Sequence, residues 1–107
     1  MKTLMLLINT ASAAVKAAYA ALRCVLATPR NTRQVVRYNS GIDVRVSLDL
    51  YRGVVGIVAA CAYRAAAAAL NAGETAYRAG VRHATVYASF CAGDAAHDAA
   101  SRLLLRD

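Results

Sequence analysis

The sequence predicts an all-α fold, a compact alanine-rich bundle of four to five helices, and three observations carry that prediction. Roughly a quarter of the 107 residues are alanine, while proline occurs once and glycine six times, so the best helix former dominates and the helix breakers are scarce. Apolar residues recur at steps of three and four along much of the chain, which is the spacing of one helical face. The length suits a single domain, residues 1–107, large enough to bury roughly 60–70% of its unfolded surface.

The first helix is predicted over residues 3–27. Leu4, Ile8, Ala11, Val15, Ala18, Leu22 and Val25 share one stripe, with Asn9, Lys16 and Arg23 on another. The opening MKTLMLLINTASAA has the outline of a secretory signal, but a signal needs an apolar run of roughly 7–15 residues, and Asn9 and Thr10 cut the run short after Ile8. The expectation is a helix of the mature protein. Pro29 disfavours helical geometry in the residue before it, so this helix is expected to stop at Thr28. Thr28 then caps a short helix over residues 29–39, which ends in the turn Asn39-Ser40-Gly41.

Residues 42–58 fit two templates. Ile42, Val44, Val46, Leu48 and Leu50 alternate with Asp43, Arg45, Ser47, Asp49 and Tyr51, which gives an α+β alternative with a β-hairpin at about 34–51. Helix is preferred, because the register continues into AACAYRAAAAAL, where strand formers are few. Asp43 is the expected N-cap of this long helix, Asn71 and Gly73 its C-terminal pair, and Gly53 and Gly56 its close-packing positions. A further helix over residues 74–91 places Arg78, Arg82, Thr85 and Ser89 on its wet side, with Tyr77, Val81, Ala84, Ala88 and Cys91 on another face. Gly93 closes it, and Asp94 caps a last helix through Leu105, in which Asp98 and Arg102 are spaced as a weak pair.

Candidates for chemistry are sparse. His83, His97, Cys91, Asp94 and Asp98 form the densest group of ligand types, yet no H-x-x-x-H or C-x-x-C spacing is present, and metal sites are usually built on such pairs. His83 is expected to be a partly buried structural residue beside Tyr87 and Phe90. No serine sits in a G-x-S-x-G elbow and no phosphate-cradling glycine loop occurs. The expectation is a protein without catalysis, metal or cofactor. Cys24, Cys61 and Cys91 are odd in number and far apart, which reads as three small core residues in a reducing cytoplasm. The longest apolar stretches fall short of the roughly 18 residues of a membrane span, so no membrane partner is expected.

Charge is the one property outside the ordinary range. Thirteen basic residues face six acidic ones for a formal +7, and eleven of the thirteen are arginine, whose rigid fork suits phosphate and carboxylate alike. Arg30, Arg33 and Arg37 share one face of the short helix and Arg45 and Arg52 one face of the next, so these five are the expected partner-binding residues. The expected function is that of a small regulator or inhibitor, of a composition frequent among phage and mobile-element accessory proteins. It docks on a protein or nucleoprotein target, an acidic one included. Two alternatives stand beside it: direct nucleic-acid binding through the arginine face, and a self-assembling subunit whose alanine stripes form homodimer or oligomer seams.

Overall fold

The computed structural model describes residues 2–29 and 53–105, about 90% of them helical and none in strands. Three helices account for them: α1 (Lys2–Ala27), α2 (Val54–Arg78) and α3 (His83–Leu104). The all-α class is as the sequence predicts, but the described residues form three helices and the four to five expected are not borne out. The helix expected over 29–39, the start at Asp43 and the hairpin alternative at 34–51 lie outside the described residues.

Two glycines mislead: the break expected at Gly93 is absent, which removes one helix from the count, and the break expected at Gly73 falls later. Gly73 and Gly93 were expected to end helices, and both instead sit buried inside one, Gly73 in α2 and Gly93 in α3. A Cβ on Gly93 would meet the Ala66 carbonyl oxygen and Leu70 Cγ, each at 3.1 Å, and a Cβ on Gly73 would meet the Phe90 ring at 3.2 Å. Their missing side chains let α2 and α3 approach closely. The real break lies between the two, at Gly80, where φ is +79°. The Gly80 N–H donates to the Tyr77 carbonyl at 3.1 Å and the Val81 N–H to Ala76 at 3.0 Å, the paired bonds of a Schellman ending. Val81 packs against the buried cluster of Cys24, Ala76 and Val86, so backbone and side chains end α2 together. Gly53, assigned from the sequence to close packing, has φ +112° and open space around it; it is the N-cap of α2. Asp94, expected as a cap, lies inside α3.

At the end of α1, the Thr28 hydroxyl donates back to the Cys24 carbonyl at 2.6 Å, which closes the helix behind it; the helix it was expected to cap ahead lies outside the described residues. Pro29 follows, as predicted.

The three helices pack mutually. Leu7 and Ala14 of α1 meet Ala59 and Ala62 of α2, Ala17 and Ala21 meet Ala66 and Ala69, and Cys24 meets Ala76, so α1 and α2 run parallel. Contacts from Thr10 to Ala99 and from Cys24 to Thr85 show α3 running antiparallel to α1. The core is built almost wholly from alanine: Ala17, Ala59, Ala62, Ala69, Ala76, Ala96 and Ala100 have no exposed surface, and Leu103 is the largest fully buried side chain. Small side chains bury little area each, so the contact energy comes from close approach of the backbones.

That closeness also brings small polar side chains against carbonyls of neighbouring helices. The Thr10 hydroxyl lies 2.6 Å from the Leu6 carbonyl of its own helix and 3.1 Å from the Ala99 carbonyl of α3. The Ser89 hydroxyl donates to the Ala69 carbonyl of α2 at 2.6 Å. Ser89 was placed on the wet side by the sequence and is fully buried, while Ala84, Ala88 and Cys91 of the opposite face are exposed.

Candidate docking face

The five arginines expected to bind a partner, Arg30, Arg33, Arg37, Arg45 and Arg52, all lie outside the described residues. The surface that stands out elsewhere is the outer side of α1. At about 100° per residue, this helix carries two apolar arcs. Thr10, Ala13, Ala17, Ala20, Ala21 and Cys24 make the small-residue arc, which packs inward. Leu4, Ile8, Val15, Leu22 and Leu26 make the large-residue arc, and it faces out: Val15 is 69% exposed and Leu26 71%. The stripe picked out by the sequence periodicity is thus the outer ridge of the bundle and no part of its core.

The ridge does not stop at the edge of α1. Ala65 and Ala72 of α2 pack beside Ala17 and Ala21, and on the outer side of that seam Val54, Ile57, Cys61 and Ala68 are exposed. A single soluble domain rarely shows an apolar surface this continuous unless something covers it.

On its other flank the ridge meets positive charge. A shallow cleft of about 210 Å³ opens between α1 and the start of α3, lined by Tyr19, Ala20, Arg23, Arg82, Ala84, Thr85 and Ala88. The Arg23 guanidinium lies 5.9 Å from the Tyr19 ring centroid, within range of a cation–π contact. Arg82 is the N-cap residue of α3, whose first turn holds neither a capping side chain nor an acidic residue, so the positive end of the helix dipole adds to the field there. Lys16 stands exposed one turn before Ala20.

The described carboxylates are elsewhere. Asp94 and Asp98 are exposed on α3, about 100–180° round its axis from Thr85 and Ala99, which bond α1. Glu74 accepts from Arg78 Nε at 3.0 Å on α2, on the side away from α1. The bundle is therefore polarised, with an apolar and cationic side centred on α1 and the acids behind.

The remaining candidates are brought together only in pairs. His83 is exposed, not partly buried as expected, and leans on Tyr77 with ring centroids 6.1 Å apart. His97 meets Tyr63 edge-on at 5.1 Å, and the Tyr63 hydroxyl shares a 3.0 Å hydrogen bond with Ser101. Of the three cysteines only Cys24 is buried, so the expectation of three core thiols fails for Cys61 and Cys91. Cys91 lies one turn from Tyr87, and its hydrogen bond and negative charge hold the phenol above its ordinary value. No group of three or more His, Cys, Asp or Glu gathers at metal-binding distance among the described residues.

Comparison with known proteins returns no match, whether to protein-family models, to curated proteins or to solved structures. The functional reading accordingly rests on the geometry of this face.

Proposed function

We propose that this protein works by binding, without catalysis, and that its contact surface is the outer ridge of α1. One observation carries the reading: Leu4, Ile8, Val15, Leu22 and Leu26 stand in solvent while the same helix buries alanine. Burying an exposed leucine or valine is worth about 1.5–3 kcal/mol, so an isolated chain leaves a large favourable contact unmade. The arginine cleft at Arg23 and Arg82 favours a target that carries phosphate or carboxylate beside apolar surface. Alanines from all three helices already pack on one another inside the bundle, and the large-residue ridge is the apolar side of α1 left for association.

A photo-crosslinking residue at position 22, compared with one at position 98 on the acidic side, tests this in an extract of expressing cells. Crosslinks are expected from position 22 and none from position 98. Equal labelling at both positions, or none at 22, would remove the ridge as the contact surface.

A further inference from the structure

We infer that the partner covering this face is the surface of an anionic lipid bilayer. In that arrangement α1 lies in the interface plane, its ridge among the acyl chains and Lys16, Arg23 and Arg82 at the lipid phosphates. The inference deepens the docking reading above and rests on it.

Four features of the molecule converge on a bilayer. The first is sign: every described charge flanking the ridge on its α3 side is positive, no acidic residue precedes Asp43 in the sequence, and the chain carries a formal +7. A second copy of the chain would set like charge against like, whereas an anionic leaflet is uniformly complementary. The second is shape. The ridge is the convex back of one helix, about 33 Å from Leu4 to Leu26 at 1.5 Å per residue, and a fluid bilayer conforms to a convex ridge that offers no groove to a protein knob. Third, the packing is of the kind helices use where large side chains face lipid. Small residues form the seams, and Thr10 and Ser89 hydroxyls bond the carbonyls of neighbouring helices, while the large residues point outward. Fourth, Tyr19 sits at the boundary between ridge and cleft, 61% exposed, where the amphipathic ring of tyrosine suits the headgroup level.

Length and composition would also let α1 and α2 cross a membrane. The charges favour the surface instead. Lys16 and Arg23 lie along the flank of α1 beyond its midpoint, and α3, packed against both helices, turns Asp94, Asp98 and Arg102 outward. A bundle with that third helix suits a seat on the membrane, with α1 toward the lipid and the exposed face of α3 in water.

The test is sedimentation of the purified full chain with phosphatidylcholine vesicles, with and without phosphatidylglycerol. Binding is expected to be at least about tenfold tighter to the anionic vesicles and to fall as salt rises, since both steps screen or remove surface charge. An Arg23→Ala, Arg82→Ala double variant should lose about fivefold per residue on anionic vesicles only. A Leu4→Ser, Ile8→Ser, Leu22→Ser triple variant should lose at least about tenfold on them. If the triple variant fails to fold, Val15→Ser alone serves, with a loss of several-fold. Failure to pellet with anionic vesicles, or equal pelleting with both compositions, overturns the proposal, as does membrane attachment that survives both high salt and alkaline carbonate, which would mean a span. If vesicles are not bound but position 22 still crosslinks to a protein or to a second copy, the lipid proposal falls and the docking reading stands. If neither occurs, both fall.

Discussion

The inner and outer faces of α1 are made from the same helix and have opposite physics. Inward, Ala17 and Ala21 meet Ala66, Ala69 and Ala96 with almost no exposed surface; outward, Val15 and Leu22 are more than half exposed. Hydrophobicity alone would bury the larger side chains. The bundle buries the smaller ones, because alanine and glycine faces allow three backbones to close on one another along their whole length, and that closeness brings in the dispersion contacts and the Thr10 and Ser89 hydrogen bonds. The contrast separates two kinds of surface on one helix, a small-residue face that builds the bundle and a large-residue face that stands in solvent.

Exchanging volume between the two faces breaks the comparison most sharply. Ala17→Leu forces three extra heavy atoms into a seam without room and should cost about 3 kcal/mol or more, measured as a fall in the urea midpoint. Val15→Ser, two residues away, should stay within about 0.5 kcal/mol. A small effect at Ala17 together with a large one at Val15 would mean that α1 is rotated and that its large residues form the core.

The next effect separates the two kinds of glycine. Gly93→Ala gains about 1 kcal/mol in helix propensity but presses a methyl on the Ala66 carbonyl, which belongs to backbone and cannot turn aside. Net destabilisation of about 1–2 kcal/mol is expected by chemical denaturation. Gly80→Ala meets no neighbour and should cost about 1 kcal/mol through its positive φ alone. A gain in stability from Gly93→Ala would instead mean that α2 and α3 do not approach closely at that point.

The smallest effects are at the exposed thiols. Cys61 and Cys91 should react with a thiol reagent in the native protein within the time of an unfolded control, while Cys24 waits for unfolding. Ultraviolet titration should find the Tyr87 phenol neutral to a higher pH than a free tyrosine, because ionising it beside the Cys91 thiolate places two negative charges together. Cys91→Ala removes that neighbour and should move the midpoint down toward about 10. An unchanged midpoint would mean that the two side chains do not meet.

Much of this was legible in the residues. Alanine content and periodicity give the helical class, and Leu4 through Val25 give the length of α1. Pro29 marks its end. The sequence even contains the two arcs of α1, one of small residues and one of large, but periodicity reports only that an apolar face exists and is silent on which of two faces turns inward. That choice belongs to the partner helices. Ala66, Ala69 and Gly93 offer small surfaces to small surfaces, and the Ala arc of α1 fits them where the leucine arc cannot. Glycine poses the same problem in backbone form: Gly73, Gly80 and Gly93 are identical as letters, and only the neighbour facing each one decides. Phe90 and Ala66 hold Gly73 and Gly93 within their helices, and open space at Gly80 leaves it to turn the chain. Composition determined that this chain would be helical; packing at close range decided where its helices end and which face it shows to the outside.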